Sequence, residues 1–94
     1  MTEIRRDSHG SKGRYVLHRD GATAELTYSI TGPTLVIADH TLVPDAMRGT
    51  GAGLALVTQL VTDARAEGFK IMPLCPFVNA QRKKHPEWAD AFSV

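Results

Sequence analysis

Cysteine is nearly absent from this chain of 94 residues: Cys75 stands alone. No intrachain disulfide can therefore form, and a four-cysteine zinc site is excluded. A surplus of either charge is also missing. Eleven Lys and Arg face ten Asp and Glu, for a formal net charge of +1, which removes any bulk electrostatic case for nucleic acid or for a membrane surface. No apolar run approaches the ~18 residues a membrane-spanning helix needs. The opening Met1-Thr2-Glu3-Ile4-Arg5-Arg6-Asp7 has no apolar stretch of the signal-peptide kind. A soluble, cytoplasmic protein is expected. This length suits one domain with a modest core, without room for a second.

Residues 1–13 are polar, contain glycine and show no periodicity, so they read as a flexible tail before a single domain over 14–94. A short strand follows at 14–19, with Tyr15 and Leu17 on one face. Asp20-Gly21 is a two-residue hairpin signal, because both central positions of a type I′ turn need φ > 0. Ala22, Ala24, Leu26, Tyr28 and Ile30 then alternate with Thr23, Glu25, Thr27 and Ser29, the pattern of a strand with one buried face. Thr31-Gly32-Pro33 makes the next turn. Residues 34–43 form a third, more continuously apolar strand, expected to be central and ended by Pro44. A helix is predicted over 51–66, with Gly53, Leu54, Val57, Leu60, Val61 and Ala64 as its apolar stripe and Gly68 as its C-terminal cap. Residues 70–75 read as a returning strand that Pro73 confines to an edge or splays from its neighbour. Pro76 opens a last helix that His85-Pro86 stops. The expected fold is α/β (α+β): a mixed four-stranded sheet in the order β-β-β-α-β-α. Strand, helix and strand make one crossover unit, so the last two strands should be parallel.

Between the third strand and the first helix lies Met47-Arg48-Gly49-Thr50-Gly51-Ala52-Gly53. Without Cβ atoms such a loop lets backbone N–H groups approach phosphate oxygens, and the helix start adds unpaired donors and the positive end of its dipole. Two nucleotide patterns fail. A Walker-type loop needs Lys followed by Ser or Thr after its last glycine, and here Leu54-Ala55 follow. A dinucleotide fingerprint needs Gly-x-Gly-x-x-Gly, but the glycines stand at 49, 51 and 53. A purely structural glycine turn is the plain alternative.

Arg48 to Gly53 match Arg/Gln-x-x-Gly-x-Gly/Ala, which resembles the acyl-CoA pyrophosphate loop of the GNAT superfamily of N-acetyltransferases. Together with Asp20-Gly21, Tyr28, His40-Thr41-x-Val43, Pro73-Leu74-Cys75-Pro76-Phe77 and His85-Pro86-Glu87-Trp88, in that order, the chain resembles the small YjdJ-type GNAT-like group over most of its length. The resemblance implies a minimal GNAT-like fold that binds acetyl-CoA, or CoA, where two parallel strands splay apart. The pyrophosphate would rest on Arg48, Gly49, Thr50, Gly51, Ala52 and Gly53. Backbone groups near Leu42 and Val43 would pair with the pantetheine arm. In one respect the chain departs from the pattern: Gln81 stands where members often carry tyrosine, a frequent general acid for the CoA thiolate in larger GNAT enzymes. Helices that usually wall the acceptor site are also missing, so a homodimer or a partner could complete it.

Acetyl transfer to an amine needs a base and a route for a proton to the leaving thiolate. His40 is a candidate base, against the plain reading of a strand histidine held by a carbonyl. Cys75 is a candidate nucleophile or acid, against that of a small buried hydrophobe. Asn79, one turn after Cys75, is a candidate partner for the pantetheine amide. Arg82-Lys83-Lys84-His85 suit a solvated helix end or a CoA phosphate. Phe77 and Trp88 are simplest as core aromatics, and no metal-site spacing appears. Two functions remain: an N-acetyltransferase using acetyl-CoA and an unidentified amine acceptor, or a non-catalytic CoA-binding or protein-interaction module. Binding of another nucleotide diphosphate is a third.

Overall fold

The computed structural model describes residues 4–94; residues 1–3 of the expected tail lie outside them. Five strands form one sheet in sequence order: β1 (Ile4–His9), β2 (Lys12–Arg19), β3 (Ala22–Gly32), β4 (Leu35–Leu42) and β5 (Lys70–Pro73). β1 to β4 are antiparallel neighbours, and β4 and β5 are parallel, joined through α1 (Ala52–Glu67). α2 (Pro76–Lys84) and a 3₁₀ turn at Pro86–Ala91 follow. The mixed sheet with a parallel last pair is as expected, but it has five strands rather than four. Residues 4–9 of the expected lead-in pair with β2 from Ile4↔Leu17 to His9↔Lys12. An edge strand this polar has no apolar alternation to announce it; its strand state comes from the partner.

The β2–β3 hairpin turns where expected, with Asp20 at φ 51° and Gly21 at φ 79°, the paired positive φ of a type I′ turn. That turn sets the register Arg19↔Ala22 through Lys12↔Ser29. Tyr15, Leu17, Ala24, Leu26, Tyr28, Val36 and Ala38 consequently share one face and are buried. α1 covers them with Ala52, Gly53, Leu56, Val57, Leu60, Val61 and Ala64. Leu54 falls outside this arc and is 38% exposed, since at 100° per residue the stripe is centred between Gly53 and Leu60 rather than on Leu54. Gly68 ends α1 at φ 81°, its N–H donating to Ala64. Among the described residues β5 pairs as a strand only with β4, apart from one bridge between Ile71 and Phe92, so Pro73 does sit in an edge strand.

Where β1 meets α1, Arg6 donates from Nε to Tyr28 Oη at 3.0 Å and from its guanidinium to Asp63 and Glu67. Its guanidinium carbon lies 5.5 and 5.7 Å from the Tyr15 and Tyr28 ring centres. Tyr15 Oη donates to Asp63 at 2.7 Å. Burial, and then the hydrogen bond to Asp63, push the Tyr15 phenol well above its ordinary range. Among the described residues no helix covers the other face of the sheet, which carries Arg5, Asp7, Lys12, Arg14, Glu25, Thr27 and Ser29. Among the described residues, no helix is long and apolar enough to cross a membrane.

Candidate functional site

The site begins with an interruption in the sheet. β5 accompanies β4 from Leu35↔Lys70 only as far as Ala38↔Pro73. The chain then turns away at Leu74, and the Cys75 N–H donates a last bond of 2.9 Å to the Ala38 carbonyl. β4 runs on through Leu42, so from Asp39 its β5-side edge has no strand beside it. Pro73 suits this end of the ladder because it lacks the N–H that further pairing would use.

A 3₁₀ turn at Asp45–Met47 then carries the chain from β4 to the start of α1. Buried Met47 anchors that turn, and the Thr50 hydroxyl donates to its carbonyl at 2.5 Å. Thr50 thus braces the loop from within. Gly49 and Gly51 lie at φ 76° and 81°, the left-handed region in which other L-residues are strained. Gly53 has a different reason: a Cβ there would come within 2.7 Å of the Phe77 ring. Two glycines shape the loop, and the third lets α1 and α2 touch. No side chain caps α1, so the N–H groups of its first turn keep their donors free for an external acceptor.

The open edge of β4 and the start of α1 face each other across a groove of about 480 Å³. It is lined by Thr41 and Val43 from the β4 side, by Met47, Arg48, Gly49 and Gly51 to Leu54 from the loop and α1, and by Phe77 and Gln81 from α2. Arg48 is largely exposed and pairs with Asp45 at 3.0 Å. Of the residues singled out from sequence, Val43, Arg48, Gly49, Gly51, Ala52 and Gly53 line this groove, and Leu42 lies at the end of the unaccompanied edge. Thr50 and Asn79 are not among the lining residues: the Thr50 hydroxyl is turned to the Met47 carbonyl, and Asn79 Oδ1 accepts from Arg82 Nε at 2.8 Å. Gln81, the position that departs from the family pattern, is in the groove.

Cys75 is 2% exposed at the start of α2, its Sγ 3.3 Å from Thr41 Oγ1. His40 is exposed and pairs in register with Thr27, whereas Thr41 pairs with buried Leu26. Neighbouring strand residues point to opposite faces, so His40 and Cys75 are not brought together: the thiol lies on the helix side, the imidazole on the helix-free side. Sequence reasoning missed Thr41 and Phe77 as groove residues. The adjacency of Thr41 to His40 in a predicted strand was the available signal for the former. Among the described residues, no group of three or more His, Cys, Asp or Glu could hold a metal ion.

The sequence model of the GCN5-related N-acetyl-transferase family matches residues 14–91. No curated protein matches the chain. The solution structure of a GCN5-like candidate N-acetyltransferase from Staphylococcus aureus is 27% identical, covers 99% of this chain and 91% of its own, and superposes with a TM-score of 0.71. An acetyltransferase from Vibrio fischeri is 16% identical over 71% of this chain and 63% of its own, with a TM-score of 0.58; that likeness concerns the fold.

Proposed function

Because this chain belongs to the family of GCN5-related N-acetyltransferases, we propose that it binds acetyl-CoA in the groove between β4 and α1 and transfers the acetyl group to an amine. One observation carries the reading: an unaccompanied strand edge and an uncapped helix start open into the same groove. The two ends of the ligand need different chemistry. A pyrophosphate suits the free N–H donors and dipole of α1, approached over glycines without Cβ atoms. An extended arm bearing amides suits the backbone edge beside Leu42 and Val43, which can pair with it as a strand would. Arg48 can leave its exposed pairing with Asp45 for a phosphate at little cost.

The two candidate catalytic residues then serve different sides. The Cys75 thiol, beside Thr41 and the end of the β5 ladder, is a proton source for the leaving sulfur or a transient acyl acceptor. His40, on the other face, receives the proton that the amine must lose before it can attack. Gln81 has no proton to give, and this favours the second reading, a module that holds CoA without turnover.

An acetyl-CoA and CoA titration followed by amide shifts tests the first step. Saturable shifts at residues 48–53, Val43 and Cys75 support the site; no saturable binding at millimolar ligand sinks it. For catalysis, Cys75→Ala or His40→Ala should abolish thiol release while leaving CoA binding largely intact. Wild-type protein that binds both ligands but releases no thiol with any amine supports the non-catalytic module.

A further inference from the structure

A larger groove, of about 620 Å³, lies on the helix-free face of the sheet, lined by Asp7, His9, Lys12, Arg14, Thr27 and Asp39. Its inner end is a bulge in β4. Thr27 pairs with His40 and Tyr28 with Ala38, which leaves Asp39 as the extra residue between them. Alternation from buried Ala38 puts Asp39 on the helix-free side, where its carboxylate accepts from Ser29 Oγ at 2.6 Å, and the bulge keeps His40 on that same side. Ala38 is also the last β4 residue paired with β5. The groove therefore ends one residue past the point where the sheet parts, with exposed His40 next in the chain.

Its charges are mixed and balanced. Asp7 is held by Arg5 and Arg14 at 3.2 and 3.6 Å, and Arg14 also reaches Glu25 at 3.3 Å. Lys12 donates to Ser29 Oγ at 2.6 Å, stands 4.0 Å from Asp39, and is 73% exposed. Asp39 at the inner end and Lys12 with Arg14 farther out offer a carboxylate and cations along one channel. A polycation would find no net negative field there, and an amine that takes Asp39 displaces Lys12 from it, which a carboxylate on the same ligand would re-pair.

Resting on the acetyl-transfer reading, we propose that this groove seats the acceptor, and that the acceptor is a small zwitterionic amine of the amino-acid class. Asp39 holds its amine end at the parting of β4 and β5, and Lys12 and Arg14 take its carboxylate. The neutral amine adds to the thioester carbonyl, the C–N bond forms, the C–S bond breaks, and the nitrogen's proton ends on the departing sulfur. Starting from ammonium, one further proton passes through His40 to solvent. Donor and acceptor occupy opposite faces, so both can be bound at once.

The test titrates the isotope-labelled full chain, without acetyl-CoA, with glycine, 4-aminobutanoate and 6-aminohexanoate, using butylamine and butanoate as single-charge controls. At least one zwitterion should shift the amides of Lys12, Thr27 and Asp39 saturably and bind about tenfold tighter than either control. Lys12→Met and Asp39→Asn, each checked for a native amide spectrum, should weaken it about tenfold and leave acetyl-CoA shifts at Gly49 and Gly51 unchanged. Controls that bind as tightly, shifts elsewhere, or no saturable shift with any zwitterion would overturn the proposal. A zwitterion seated here in a protein whose glycine loop ignores acetyl-CoA overturns the acetyl-transfer reading, and with it the acceptor role.

Discussion

Replacing Gly51 by alanine isolates the part of the groove that depends on backbone shape alone. Gly51 is the N-cap of α1 at φ 81° and ψ 12°, and nothing lies within 4 Å of where a Cβ would stand. The cost is therefore conformational, about 1–2 kcal/mol for an L-residue in the left-handed region. Alanine also reduces the entropy of the unfolded chain, which returns about 0.4–1 kcal/mol. The net loss is about 0.8 kcal/mol, within about 0–1.6 kcal/mol. It can surface in two places. If the loop holds its shape, urea unfolding records the whole loss, with Tm lower by about 2–10 °C. If the loop relaxes, stability is spared and acetyl-CoA binds about threefold to tenfold more weakly, since the ligand must restore the shape. The two losses together should equal one conformational cost. Gly51→Asn should lose less of both, because asparagine tolerates positive φ. Stability and affinity both unchanged in Gly51→Ala would refute the claim that the left-handed turn builds the anion cradle.

Gly53→Ala should act through contact instead. Overpacking against Phe77 costs about 1–3 kcal/mol, offset by about 1 kcal/mol of helix propensity, and Phe77→Leu in the same chain should recover at least about 0.5 kcal/mol in a double-mutant cycle; strict additivity would sink that account. Tyr15→Phe should cost about 1–2 kcal/mol at neutral pH through the lost bond to Asp63. The folded-state value of Tyr15 is raised, so its contribution is complete below about pH 10, where unfolded tyrosine titrates, and is lost as pH rises beyond it. Urea midpoints at pH 8 and 11 should therefore converge between wild type and Tyr15→Phe, and a constant gap would contradict the assignment. Gln81→Tyr places a phenol in the donor groove. An increase in kcat towards about 10²-fold would show that the missing acid limits turnover, while an unchanged kcat with intact acetyl-CoA binding would assign that duty elsewhere.

The sequence by itself determined whatever depends on local geometry. Asp20-Gly21 could only turn with both φ values positive, and this set the β2–β3 register. The period-two run from Ala22 chose the buried face, and Gly68 ended α1 because glycine adopts the left-handed cap freely. Gly49 and Gly51 gave the loop before α1 its two positive φ values for the same reason. Tertiary structure decided what depends on a partner. β1 is a strand because β2 and Arg6 hold it, though its own residues show no apolar alternation. Asp39 faces the open side by alternation from buried Ala38, but His40 joins it there only because β3 and β4 slip by one residue between Thr27 and Tyr28, and no pattern within β4 foretells that. His40 and Cys75, both candidates for the same chemistry, fall on opposite faces because strand alternation separates His40 from Thr41. Gln81 lines the groove between β4 and α1 while Asn79 turns to Arg82, with Phe77 of α2 resting on Gly53. Backbone preferences are carried by each residue, whereas register, bulges and helix rotation follow from packing between distant segments.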